Sequence, residues 1–165
     1  MKNIAEKVLK PAVFSEVIKN TPLVSIDLCL VFNKKLLLGL RKNKPLKNVW
    51  FTPGARILKN ECWQDCLLRI AHSELGLQKV LLRDFSLMGV WDHFYDDSFF
   101  HKNISTHYVN LPHYICLDNK PHFDLDDQHK FVDWFDLEQV ANSSDFHKNV
   151  RTYAYWLIEK VYKID

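Results

Sequence analysis

The residues of this chain whose types and spacing could do chemistry cluster in the stretch WFTPGARILKNECWQDCLLRIAHSELGL, residues 50–77. A Pro-Gly turn is followed by Arg56, Glu61, Arg69 and Glu74, and the run closes on Gly76. A turn, a helix carrying an arginine, and a terminal Glu-Leu-Gly-Leu have the outline of a phosphate-handling motif. Arg41, Arg56 and Arg69 are the cationic candidates, because planar guanidinium forks match phosphate oxygens bidentately. A metal-dependent site would also need carboxylates, and this helix carries few. Glu74 falls near the helix C-terminus, where the dipole disfavours an anion and a bound cation would offset the penalty. The competing reading is a surface glutamate beside a C-cap glycine. His129, in DLDDQHKF, is a candidate general base: an imidazole titrates near neutrality, at about 6.5, and adjacent acids could raise its basicity. Its competing reading is a surface loop histidine. Asp27 interrupts the apolar run SIDLCLV, where a carboxylate must be paired or face a cavity. His93, in GVWDHFYDD, is either a substrate contact or a satisfied inner histidine.

The elements that must position these residues follow from periodicity. LVSIDLCLVF and KLLLGLR read as strands joined at Asn33-Lys34, a hairpin signal. KPLKNVWFTPGARILKN reads as a loop around a short strand. The spacing predicts a helix from about Glu61 to Leu75 with Gly76 as its stop. Its apolar stripe is Leu67, Leu68, Ala71 and Leu75, with Ile70, Ser73 and Glu74 on a neighbouring stripe. KVLLRDFSLMGVWDHF is a second strand region and ISTHYVNLPHYICL a long strand. A charged loop, DNKPHFDLDDQH, leads into a further strand, KFVDWFD. Residues 1–20 form an N-terminal extension, helical after Pro11. The C-terminal stretch is an amphipathic helix that Ser143 or Ser144 could cap. Interleaved strands and helices with hairpins imply an α/β fold, a mixed sheet with helices on its faces.

Composition narrows the function classes. The 165 residues suit one domain, with 47% hydrophobic and 13% aromatic content and a formal charge of +2. No dense basic patch suggests nucleic acid, and no apolar run is long enough for a membrane span. The four cysteines form no C-x-x-C pair and read as reduced, partly buried thiols of a cytoplasmic protein. The N-terminus lacks the apolar core of a signal peptide.

The order Glu61, Arg69, Glu74, Gly76, Leu77 resembles the Nudix box, G-x5-E-x7-R-E-U-x-E-E-x-G-U, over residues 54–77. Ala55 stands at the first glycine, preceded by Gly54. Ile70 and Ser73 replace two of the carboxylates. One subfamily departs in the same way, and the blocks TPLVSID, WFTPGARI, GVWDHFYDDSF with STHYV, and DDQH are similar to those of the GDP-mannose mannosyl hydrolases. That resemblance implies a Nudix fold, a mixed β-sheet sandwiched between α-helices. It also implies Mg²⁺-dependent hydrolysis of GDP-mannose, with some use of GDP-glucose, by water attack at the anomeric carbon with inversion, in a homodimer. Mn²⁺ is a possible substitute ion. Carried over residue by residue, His129 is the base, and the metal ligands are Glu74, Gln128 and the Gly54 carbonyl. Arg41 and Tyr108 assist the leaving GDP, while Arg56 and Arg69 support the diphosphate and metal site. Glu61 is the natural structural partner of Arg69. Asp27 and His93 meet the substrate. Phe14, Trp50 and Phe51 are rings available to stack on guanine, with core packing the competing role of the last two. A Nudix pyrophosphatase attacking phosphorus and a nucleotide-sugar-binding regulator without catalysis are the alternatives.

Overall fold

The computed structural model describes residues 9–98, 103–121 and 131–163. Gln128 and His129 lie outside the described residues. In chain order the elements are α1 Pro11–Asn20, β1 Leu23–Phe32, β2 Lys35–Leu40, β3 Trp50–Phe51, β4 Gly54–Arg56 and α2 Trp63–Arg69. They continue with β5 Ser86–Leu87, β6 Trp91–Tyr95, β7 Thr106–Asn110, β8 His113–Cys116, β9 Val132–Asp136, α3 Leu137–Asn142 and α4 Lys148–Leu157.

The strand β1 is the spine of a mixed sheet. Its first half pairs with β4 antiparallel and β7 parallel; its second half pairs with β2 antiparallel and β8 parallel. Asn33 and Lys34 both take positive φ, at 48° and 58°, which is the two-residue hairpin turn that the sequence implies. Alternate β1 side chains enter opposite layers, as a period of two requires. Ile26, Leu28 and Leu30 pack with Leu67, Ile70 and Leu75 beside α2. Cys29 and Val31 pack with Val150, Tyr153 and Leu157 beside α4. Burial on both faces explains the almost unbroken apolar run of β1. Asp27 shares its parity with Cys29, so it faces the α4 layer.

The strands β1 and β2 part beyond Val31↔Leu36, and β2 then pairs Gly39 and Leu40 with β3. The Leu28 amide donates to the Pro53 carbonyl at 2.8 Å, so the segment 50–56 enters like a wedge between the two strands. The candidate site lies at this wedge.

Several sequence expectations need correction. The helix expected from Glu61 begins at Trp63 and runs as an α-helix only to Arg69; a wider π-type turn, Ile70–Glu74, completes it. On an unbroken helix Glu74 would follow Leu67, Ile70 and Ala71 onto the buried face at i, i+3, i+4 and i+7. The extra residue of the π turn gives that core position to Leu75, which is buried, and leaves the Glu74 side chain 21% exposed. Ile70 therefore belongs to the core, not to a stripe with Ser73 and Glu74. Gly76, at φ 68°, ends the helix, with the Leu77 amide bonded to the Ala71 carbonyl. The long strand expected over 104–117 breaks at Leu111-Pro112 into β7 and β8, and the 79–94 strand region contains only β5 and β6. The expected C-terminal helix is α4, capped by His147 and not by Ser143 or Ser144, and the short α3, capped by Asp136, precedes it unanticipated. The cysteines are all free, Cys29 and Cys66 buried, Cys62 and Cys116 exposed.

Candidate active site

Asp27 is directly opposite Gly54 in the β1–β4 pair. A Cβ on Gly54 would stand 2.4 Å from Asp27 Oδ1 and 2.6 Å from the Ile26 carbonyl, so the close approach of strand to carboxylate requires glycine here. Ala55, by contrast, is an ordinary strand residue paired with Ile26, and its φ is not positive. The position with no room for a side chain is thus Gly54, one residue before the place of the first glycine in the box pattern.

Asp27 Oδ2 accepts from Tyr153 Oη at 2.7 Å and from Asn110 Nδ2 at 2.9 Å. Burial pushes its carboxyl up to about 6, against the lowering effects of Tyr153, Arg41 and Asn110. His93 Nδ1 is 3.9 Å from Asp27 Oδ2. Burial, with the nearby His147 and Lys148, holds the imidazole down to about 4, so it is neutral near pH 7 and this contact is not an ion pair. Asp27, His93, Tyr95, Tyr108, Arg41 and Arg56 together wall a cavity of about 100 Å³. Burial raises the Tyr108 phenol, which stays protonated and can donate.

A second cavity, of about 380 Å³, shares Arg41, Phe51 and Gly54 with the first and extends to Thr52 and Glu74. Thr52 Oγ1 is buried with no hydrogen-bond partner among the described residues. Arg41 is held by Nε donation to the Pro45 carbonyl at 2.9 Å and lies 6.0 Å from the centre of the Phe51 ring. Arg56 lies 4.0 Å over the ring of Phe14, so α1 reaches the site through this cation–π contact. Phe14 and Arg69 line neither cavity. Arg69 instead ties α2 to the wedge. It donates to both oxygens of Glu61 at 2.7 and 3.0 Å and to the Arg56 carbonyl at 3.2 Å, with Glu74 at 3.6 Å. Glu61 also accepts from the Leu58 amide. Of the rings considered for stacking, Phe51 is buried in the core and Trp50 packs edge-on against Phe135.

The Gly54 carbonyl can be placed from the ladder. Pro53 and Ile57 bond toward β1, so by alternation the carbonyls of Gly54 and Arg56 face the opposite edge, where Arg56 meets Arg69. Glu74 and the Gly54 carbonyl therefore flank the same cavity as hard oxygen donors, which fits a Mg²⁺ ion. No group of three or more His, Cys, Asp or Glu gathers among the described residues.

The structure thus brings Asp27, His93, Tyr108, Arg41, Arg56, Gly54 and Glu74 to one pair of adjoining cavities. Sequence reasoning missed Tyr153, Asn110 and Thr52. A buried Tyr on an apolar helix face, at i+3 from Val150, was the available signal, since its hydroxyl must find a partner.

The sequence matches the NUDIX domain family over residues 22–157. It is 36% identical over 120 residues to the low-salt glycan biosynthesis protein Agl8 of Haloferax volcanii, covering 73% of this chain and 74% of the relative. The fold is similar to that of the MutT protein of Methanosarcina mazei Go1, with a TM-score of 0.68, 15% identity and coverage of 87% and 99% of the two chains. It is also similar to the NUDIX domain of Shewanella oneidensis NrtR complexed with ADP ribose, with a TM-score of 0.65, 15% identity and coverage of 96% and 97%.

Proposed function

This chain belongs to the NUDIX domain family, whose hydrolases generally use divalent metal ions, and from that premise we propose that it hydrolyses GDP-mannose, with GDP-glucose as a lesser substrate, to GDP and the free sugar. The observation that carries this reading is the composition of the box helix at the cavity. Glu74 is its one carboxylate there, while Ile70 is buried in the core and Ser73 is exposed. Attack on phosphorus draws on several carboxylates holding metal; departure of an intact diphosphate asks mainly for charge neutralisation. Arg41, Arg56 and protonated Tyr108 lie together for that purpose. A Mg²⁺ or Mn²⁺ ion bound by Glu74, the Gly54 carbonyl and Gln128 would supply further neutralisation. The glycan-biosynthesis relative supports a sugar-bearing substrate.

In this reaction His129 takes a proton from water as the water oxygen attacks the anomeric carbon from the face opposite the diphosphate. The bond from that carbon to the phosphate oxygen breaks, its electron pair leaves with GDP, and the configuration inverts. Asp27 and His93 orient the sugar, and Arg69 holds the α2–wedge frame. Phe14 holds the Arg56 guanidinium beside the cavity through its ring. A cytoplasmic homodimer completes the proposal.

Hydrolysis in ¹⁸O-water tests the reading: the label is expected in the sugar, and label in a phosphate would establish a pyrophosphatase instead. Tight GDP-mannose binding with no metal-dependent turnover would establish a regulator. His129→Gln is expected to lower kcat by about 10²- to 10⁴-fold with unchanged thermal unfolding; near-normal turnover removes His129 as the base.

A further inference from the structure

Two acceptors on the wall of the smaller cavity are set by a residue outside it. Tyr153, on α4, is fully buried, and its ring stacks on Trp91 at 4.9 Å. Its hydroxyl lies 2.7 Å from Asp27 Oδ2, 2.6 Å from Asn110 Nδ2 and 3.2 Å from His93 Nε2. The direction of each bond follows from proton counting. A carboxylate only accepts, so the single phenolic proton goes to Asp27. The amide of Asn110 is oriented by Ser25 Oγ, which donates to Asn110 Oδ1 at 2.8 Å, so its Nδ2 donates both to Asp27 and to Tyr153. His93 must then meet the phenolic oxygen as a donor, through Nε2–H.

That assignment leaves His93 Nδ1 unprotonated; its one hydrogen-bond partner among the described residues is the Tyr95 hydroxyl, a long contact at 3.5 Å whose oxygen accepts from Asn149 Nδ2. On Asp27 both bonds fall on Oδ2, while Oδ1 has no hydrogen-bond partner among the described residues and packs against Gly54 in the cavity wall. Burial, which keeps His93 neutral, agrees with a single-proton ring. The cavity wall therefore carries two neighbouring acceptors together with the Arg41 and Arg56 guanidiniums.

We propose that Tyr153 is a positioning residue: its hydroxyl fixes both the Asp27 carboxylate and the Nε2–H tautomer of His93, so that Asp27 Oδ1 and His93 Nδ1 stand as paired acceptors for hydroxyl groups on the sugar end of the substrate. This rests on the GDP-sugar reading of the cavity. Tyr153 never touches the substrate, so its effect is confined to the sugar and is absent for GDP.

The test is Tyr153→Phe, which keeps the ring and removes the hydroxyl. The KM for GDP-mannose is expected to rise at least about tenfold, the scale of one lost hydrogen bond to a charged group, while the Kd of GDP stays within about twofold. Equal changes in the two constants, or no change in either, would overturn the proposal. Ring ¹⁵N spectra of the ligand-free wild type read the tautomer directly: His93 is expected as Nε2–H, with that preference lost in Tyr153→Phe, whereas Nδ1–H in the wild type overturns the assignment. Absence of any GDP-mannose turnover in the wild type would refute the functional reading alone, and the ring spectra would then decide the role of Tyr153. They also decide it if the variant does not fold, because the wild-type spectrum needs no substitution.

Discussion

Arg69 shows how one residue of a functional motif can serve by bracing. Its guanidinium spans Glu61 and the Arg56 carbonyl, and the Glu61 hydrogen bond keeps it firmly charged. The pair is mostly shielded, at 16% and 6% side-chain exposure, so its fork geometry is not interchangeable with a flexible ammonium. Arg69→Lys retains the charge but loses the bidentate contact and the bond to the Arg56 carbonyl. The expected cost is about 2 kcal/mol of unfolding free energy, read from the shift of the urea midpoint, with KM for the GDP-sugar nearly unchanged. A raised KM at unaltered stability would show that Arg69 reaches the phosphates instead.

At the scale of elements, the wedge of β3 and β4 decides where every group falls. Gly54 is fixed by contact with Asp27 and Ile26, whereas Ala55 lies in regular strand geometry. Gly54→Ala is therefore expected to lower stability by about 1–3 kcal/mol through overpacking against backbone, and to abolish turnover by displacing Asp27. Ala55→Gly should cost no more than about 1 kcal/mol and leave activity intact, and thermal unfolding with a turnover assay checks both. This is also where the sequence was legible and where it was not. The β1–β2 hairpin, the Gly76 stop and the role of Glu61 beside Arg69 all depend on local chemistry, and the residues show it. The π turn was not readable, because an inserted residue leaves the apolar pattern looking like a regular helix; its effect on Ile70 and Glu74 appears only once α2 packs on β1. The break at Pro112 was hidden by two strand-like flanks, and α3 by its short length. Asp27 and His93 could be picked out singly, but Tyr153 lies 126 residues from Asp27 in the chain, and only the fold joins them.

Over the whole molecule, β1 separates two half-sites that meet at the wedge. The α2 layer carries Glu74 and its brace, while the α4 layer holds Asp27 and His93 through Tyr153. The second half-site links global stability to pH in a way that can be worked out. His93 in the unfolded chain gains a proton near 6.5, but in the folded protein only at about 4. Between those values the unfolded state binds more protons, so this histidine removes stability as pH falls from 6.5 through 4, by about 3 kcal/mol in all. Asp27 acts in the opposite sense. Its folded value of about 6 exceeds the ordinary 3.8, so it adds stability as pH falls over an overlapping interval. In the wild type these two contributions partly cancel. His93→Gln removes one of them, and Gln can still donate to Tyr153. Relative to wild type, the variant is expected to gain stability progressively as pH is lowered from 6.5 to 4, and to show no further pH-dependent difference above 7. Chemical denaturation of the two proteins in parallel at each pH isolates this term, since every other titrating group is common to both. A difference that stays constant from pH 7 to pH 4 would mean that His93 is not held neutral by the α4 layer.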